Sequence, residues 1–221
     1  MKSYYMFVAS LPALPRRFDA GPNPITATTL HHRLSLLDED DRQILDQLSD
    51  FFRWDRQPLD RADDEVLAKH RALNNEISNP LVRRLIRHRF EMRTLVAAVR
   101  YRRDGLSPPE MPNLPLADSI RRYWDQPYFR LSPQFPWLPR FIKSLEEEHP
   151  QQAQWELFDD LWSLWSRLNQ RYHFSFESIV LYLARWEILH RWASQDAELG
   201  RQRFDDLVDG VLKRHHAETG A

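Results

Sequence analysis

Proline rather than glycine interrupts this chain, and that pattern restricts its fold more than any other sequence feature. The 221 residues include 15 prolines but only 5 glycines. Such a composition favours helices that are stopped by proline over glycine-rich sheets and turns. We therefore expect an all-α protein, a bundle-like array of several helices with a short N-terminal segment that is extended or helical. The chain is long enough to bury a core of its own.

Apolar spacing places the helices along the chain. In the segment 38–54, Ile44, Leu48 and Phe51 recur at intervals of three and four and form one apolar stripe. The helix at 80–104 is the best delimited, since Asn79 suits its N-cap, Pro80 its first position and Gly105 its end. Further helices are predicted at 26–37, 61–78, 151–172, 175–195 and 196–216.

A proline-rich connector at 105–139 separates two helical regions. It contains the aromatic residues Trp124, Tyr128, Phe129, Phe135 and Trp137. These supply the apolar surface that a disordered linker lacks, so we expect the connector to be ordered. The chain then reads as a single helical domain over 1–221, in which the connector marks two candidate lobes, 1–104 and 140–221.

The residues offer little recognisable chemistry. The chain has no cysteine, which excludes disulfides, thiolate catalysis and cysteine-ligated metals. No glycine-rich phosphate loop and no H-E-x-x-H or G-x-S-x-G motif occurs. The pairs His31–His32 and His215–His216 do not share a helix face, and "EEEH" at 146–149 is typical of a solvated helix end. We therefore expect no catalytic residue, no metal and no cofactor.

The chain opens with the apolar run "YYMFVASLPAL" at 4–14. The run holds about eight apolar residues before Pro12, whereas a membrane-spanning helix needs roughly 20. It is also at the lower limit for a signal peptide, and no A-x-A cleavage site follows it. We expect this run to be packed against the helices of a soluble protein, as a strand or as a short helix.

The helix at 80–104 is rich in arginine and suggests one alternative function. Its eight arginines are positions 83, 84, 87, 89, 93, 100, 102 and 103. They could follow a phosphate backbone, which makes a helical nucleic-acid-binding protein the first alternative. However, they surround the helix instead of keeping to one face, and the net charge of the chain is −1. Nucleic acid is therefore not the expected partner.

Glu187 suggests the second alternative. On a helical wheel it lies within the apolar arc between Val180 and Leu183. A carboxylate buried there is costly unless it is paired. We expect an arginine of another helix to be its partner. If a second acid, a base or a metal stood beside it instead, the chain would be a helical enzyme with an acid site at Glu187.

Two stretches resemble the C-type (d-type) central-stalk subunit of V-type and A-type rotary ATPases. In "FEMRTLVAAVRYRRDGL", Glu91, Thr94, Leu95, Val99 and Arg100 correspond to the acid, Asn, Leu, Leu and Arg of a helix pattern in that family. In "FESIVLYLARWEILHRWA", Tyr182, Leu183 and Glu187 match the helix near its C-terminus. The opening "YYMFVASLPAL" and the late "RW" helix end of this second stretch are similar to an uncharacterised bacterial family encoded beside V-type ATPase subunits.

This resemblance implies a non-catalytic helical adaptor between the central stalk and the membrane ring. The partners would be other V/A-type ATPase subunits, and the chain would be cytoplasmic and peripheral to the inner membrane. Glu91, Arg100, Tyr182, Trp186 and Glu187 would then be structural or subunit-contact residues. No direct membrane span is expected.

Overall fold

The structure, a computed structural model, describes residues 4–52, 68, 71–72, 76–108, 114 and 116–195. Within these segments the chain is helical, without a strand, which confirms the all-α prediction. The helices are α1 (Tyr5–Ser10), α2 (Ala27–Leu34), α3 (Glu39–Phe52), α4 (Pro80–Arg103), α5 (Ala117–Arg122), α6 (Leu138–Glu146), α7 (Pro150–Asn169) and α8 (176–195). The helix predicted at 196–216 and most of the one at 61–78 lie outside the described residues.

Helix α4 begins and ends at the predicted residues. The Asn79 side chain accepts hydrogen bonds from the backbone N–H groups of Leu81 and Val82, at 3.0 and 3.2 Å, and Pro80 follows it. After the helix, Gly105 takes the left-handed conformation with φ +71°. That conformation suits glycine because it has no Cβ. The Asn79 amide also donates to Glu177 Oε1 at 2.9 Å, which ties the start of α4 to the start of α8.

Helix α8 lies at the centre of the core. It is buried on most sides, through Ile179, Val180, Leu181, Leu183 and Leu189 among others. A helix that is apolar all round has to be covered by neighbours on all its faces. The aromatic stripe of α7 provides part of this cover with Phe158, Leu161, Trp162, Trp165 and Leu168, all buried.

The proline-rich connector is part of the same core. Phe129, Phe135 and Trp137 are buried, and α6, which follows them, packs against α7. One hydrophobic cluster contains buried side chains that range along the chain from Phe18 to Leu189. The described part of the connector, residues 105–108, 114 and 116–139, is therefore ordered, as its aromatic content predicts.

Within the connector, residues 128–130 form a short left-handed turn. Tyr128, Phe129 and Arg130 have φ values between +52° and +57°, which costs about 1–2 kcal/mol for each residue other than glycine. Arg102 of α4 offsets part of this cost, because its guanidinium donates to the carbonyls of Trp124 and Gln126 at 3.3 and 3.1 Å. The same guanidinium lies 4.4 Å from the centre of the Phe129 ring. Its position holds the turn against α4.

Candidate functional site

The segment between α1 and α2, residues 11–26, crosses α7 and α8, and we call it the N-terminal strap. Aromatic side chains of these two helices hold it by donating hydrogen bonds to its backbone. The bonds run from Trp162 Nε1 to Arg16 O at 2.9 Å, from Tyr182 Oη to Pro12 O at 3.0 Å and from Trp186 Nε1 to Ile25 O at 3.0 Å. Each one satisfies a polar atom that aromatic burial would otherwise leave unpaired.

Phe18 inserts the strap into the core. Its side chain is 1% exposed and is surrounded by four aromatic rings. The ring centroids lie 5.9 Å from Trp155 and Phe158, 6.1 Å from Trp162 and 5.3 Å from Trp192. The next residue, Asp19, accepts a hydrogen bond from Trp155 Nε1 at 2.9 Å. The strap is thus packed against α7 and α8 and hydrogen-bonded to them.

The opening apolar run is α1, a short helix. Tyr4 precedes it and donates its backbone N–H to Phe174 O at 2.7 Å, while its hydroxyl donates to Asp41 of α3. Phe7 and Val8 pack against the core, but Tyr5 and Met6 are exposed. The expected packing of this run is therefore confirmed for one face of the helix.

Buried charges connect α4 to α8. Arg89 of α4 is buried, and burial together with the nearby Arg191 lowers its pKa to about 9, whereas the negative charge of Glu187 raises that pKa. Glu187 and Arg191 both belong to α8. An arginine of another helix thus interacts with Glu187, as the sequence predicts. The half-buried carboxylate balances a guanidinium that would otherwise be costly to bury.

The five residues singled out in the sequence fall into two groups. Tyr182, Trp186 and Glu187 lie together on α8, where the first two hold the strap and the third faces the charge of Arg89. Glu91 is half-buried on α4, and Arg100 is exposed in the last turn of that helix. The structure does not bring Glu91 or Arg100 to the strap.

Sequence reasoning missed the partners that complete this arrangement. Phe18 stands in a segment rich in proline and charge, and Arg89 was one arginine among eight. The aromatic stripe of α7 was the sequence feature that could have indicated them. A buried tryptophan such as Trp162 needs an acceptor for its indole N–H, and a backbone carbonyl of another segment can supply it.

The arginines of α4 have different environments. Arg89 is buried, Arg102 is held by backbone carbonyls, and Arg84 and Arg87 are exposed near the other end of the helix. A protein that follows a phosphate backbone instead presents its cations along one accessible surface. The observed distribution gives the nucleic-acid alternative no continuous basic face on α4.

No group of three or more potential metal ligands occurs within the segments that the structure describes. The "EEEH" segment at 146–149 is exposed at the end of α6, as predicted, and Glu147 lies 3.8 Å from Lys143 Nζ and 3.7 Å from His149 Nδ1. His31 Nδ1 lies 2.7 Å from Ala27 O on its own helix. The pair His215–His216 lies outside the described residues.

Replacing Tyr182 by phenylalanine should make the protein less sensitive to alkali. Burial raises the pKa of Tyr182 to about 12 from its ordinary value of 10. Between these pH values the unfolded chain releases the proton and the folded chain keeps it, so the stability that this hydroxyl contributes is lost as pH rises. Relative to the wild type, we expect Tyr182→Phe to be about 1 kcal/mol less stable at pH 7. The difference should disappear or reverse between pH 10 and 12.

Urea unfolding at pH 7, 10 and 11.5 measures this effect. The exposed Tyr101→Phe variant serves as a control, because its hydroxyl makes no contact with the strap. An unchanged difference between Tyr182→Phe and the wild type at all three pH values would contradict the role of the buried hydroxyl.

In the part of the chain that the structure describes, no helix has the length and apolar character required to cross a membrane. Comparison with protein-family models, with curated proteins and with solved structures found no match to this chain.

Proposed function

We propose that this chain is a non-catalytic adaptor subunit of a V/A-type rotary ATPase, where it couples the central stalk to the membrane ring. Its partners would be other subunits of that complex, through which it would be peripheral to the inner membrane. The proposal begins from the resemblance carried by three stretches of sequence, namely 4–14, 90–106 and 176–193.

One observation supports reading these three stretches as a unit: side chains of all three belong to the same hydrophobic cluster or pack against it. The Tyr182 hydroxyl of the third stretch donates to Pro12 O of the first at 3.0 Å, across 170 positions of sequence. Glu187 of the third stretch lies on α8, and α8 is linked by charge to Arg89, which directly precedes the second. The three stretches therefore belong to one packed region of the fold.

The packing also suits a part that transmits force. The strap, α7 and α8 are joined by hydrogen bonds from several aromatic side chains, and these rings are themselves buried. Closely packed interiors have low compressibility and transmit strain. An adaptor between a rotating stalk and a ring needs this stiffness.

Affinity purification from the native cells tests the proposal. The full-length tagged protein is isolated from gently solubilised membranes, and the recovered proteins are quantified by mass spectrometry against an equally expressed tagged helical protein. We expect stalk and ring subunits of a rotary ATPase to be enriched at least tenfold over this control. Loss of the chain should also uncouple ATP hydrolysis from ion transport in isolated vesicles.

Two results would overturn the proposal. One is the recovery of an unrelated complex in constant proportion, with no rotary ATPase subunit above the control. The other is normal coupling in vesicles from cells that lack the chain. Either result would leave the fold and the contacts of the strap unaffected.

A further inference from the structure

Exposed arginines are concentrated at the C-terminal ends of α4 and α5, and we call this region of the molecule the basic platform. It consists of Arg100, Tyr101, Arg103, Leu106, Arg121, Arg122 and Arg130. Helices α4 and α5 are in contact, and the bonds from Arg102 to the carbonyls of Trp124 and Gln126 hold their C-terminal ends together. The five arginines of the platform are exposed, as are Tyr101 (40%) and Leu106 (52%).

The platform is rigidly supported. Beneath it, Phe129 is fully buried and its ring centroid lies 5.6 Å from that of Trp124. The left-handed turn at 128–130 places Arg130 with its guanidinium 5.0 Å from the centre of the Tyr123 ring. Arg130 is therefore positioned before a partner binds, which lowers the entropy that this side chain loses on binding.

The arginines of the platform outnumber the negative charges near them. Residues 100–104 and 117–130 contain six arginines and three aspartates, although the whole chain has a net charge of −1. Arginines in the last turn stabilise a helix C-terminus, but two helix ends together present only about one negative elementary charge. Arg103 is paired with Asp104 at 2.9 Å. Arg100, Arg121 and Arg122 make no ion pair with any residue that the structure describes.

We propose that the basic platform binds an acidic segment of a partner protein, one that also inserts an apolar side chain beside Tyr101 and Leu106. The arginine guanidinium matches the geometry of a carboxylate and forms bidentate hydrogen bonds with it. Tyrosine and arginine are the residues that most often dominate protein interfaces. The proposal concerns this surface and does not depend on the partner being a rotary ATPase.

The same surface suits nucleic acid less well. Asp104, Asp118 and Asp125 are exposed in the same two segments, where six arginines and three aspartates leave a net charge of only +3. Binding along a nucleic-acid backbone depends on many neighbouring cations, whereas a single bidentate arginine–carboxylate pair needs one. Leu106 adds an apolar side chain that a phosphate backbone does not use. The platform thus fits a ligand in which acidic and apolar groups alternate.

Site-specific photo-cross-linking in the native cells tests this proposal. The full-length protein carries p-benzoylphenylalanine in place of Tyr101, and a second version carries it in place of the exposed Tyr5. Mass spectrometry of the cross-linked peptides then identifies the segment in contact. We expect position 101 to cross-link to a protein segment rich in Asp and Glu that includes at least one large apolar residue.

Matched charge variants make the test specific. In the triple variant R100Q/R121Q/R122Q we expect the cross-link at position 101 to fall about tenfold, with the yield at position 5 unchanged. The control R84Q/R87Q/R167Q removes the same charge from exposed arginines elsewhere, and it should keep the cross-link. A thermal melt of each variant shows that the fold is retained.

The proposal is overturned if position 101 cross-links to nucleic acid, to a segment without acidic residues, or to nothing. Equal loss in the two triple variants would also overturn it, because the effect would then be one of net charge alone. If the acidic segment belongs to a protein outside any rotary ATPase, the platform is supported and the adaptor function proposed above fails. If it belongs to a stalk or ring subunit, both are supported.

Discussion

Replacing Phe18 by alanine is expected to lower the free energy of unfolding by about 4 kcal/mol. The ring is almost fully buried and is surrounded by Trp155, Phe158, Trp162 and Trp192. These four large side chains cannot all move inward to fill the space, so the variant loses both the burial of the ring and the contacts around the cavity. Urea unfolding followed by tryptophan fluorescence measures the loss.

Two further variants separate the burial of Phe18 from a general effect of substitution. Phe18→Leu keeps most of the apolar volume and should cost less than half as much as alanine. Leu36→Ala removes an apolar side chain that is 72% exposed, so we expect a change below about 0.5 kcal/mol. If Phe18→Ala were no more harmful than Leu36→Ala, the strap would not be part of the stable core.

Replacing Glu187 by alanine is expected to cost about 3 kcal/mol, because it leaves Arg89 buried beside the like charge of Arg191. The double variant R89M/E187A removes the buried charge and its partner together, and it should recover most of this loss. A double-mutant cycle measured by urea unfolding gives the coupling between the two positions. Additive effects of the two substitutions would show that Arg89 and Glu187 do not interact.

The pH dependence of the Glu187→Ala variant provides an independent check. Burial lowers the pKa of Arg89 in the folded protein to about 9, well below the ordinary value of an arginine. Between these values the unfolded chain binds the proton more strongly, so stability from this group rises with pH. Loss of Glu187 removes the negative charge that raises this pKa, so Arg89 of the variant releases its proton at a lower pH. The difference in the free energy of unfolding between variant and wild type should therefore narrow from pH 7 to pH 10. A constant gap would contradict this explanation.

The long helices α4, α7 and α8 could be predicted because their signals are local. Asn79, Pro80 and Gly105 mark the ends of α4 through capping, a fixed φ and freedom for positive φ, and each depends only on neighbouring residues. The aromatic stripe of α7 likewise indicated which face would be buried. For Glu187, the cost of burying a carboxylate predicted an arginine on another helix, though not which of the many arginines it would be.

The contacts of the candidate site could not be predicted, because they join residues that are far apart in the sequence. Eight apolar residues do not reveal whether α1 is a helix or a strand, and nothing in the segment 11–26 indicates that it crosses α7 and α8. The platform at the ends of α4 and α5 combines residues about 20 positions apart around a left-handed turn that is unfavourable on its own. Its conformation depends on Arg102 and on the burial of Phe129.

By itself, then, the sequence determined the helical class, the limits of α4 and the buried faces of α7 and α8, since capping and apolar periodicity act within a few residues. Only the tertiary structure decided that Tyr182 and Trp186 hold the strap, that Arg89 is the arginine interacting with Glu187, and that the arginine-rich ends of α4 and α5 lie next to each other. Those outcomes depend on which polar atoms remain to be satisfied once distant helices have packed, and that is a property of the assembled core.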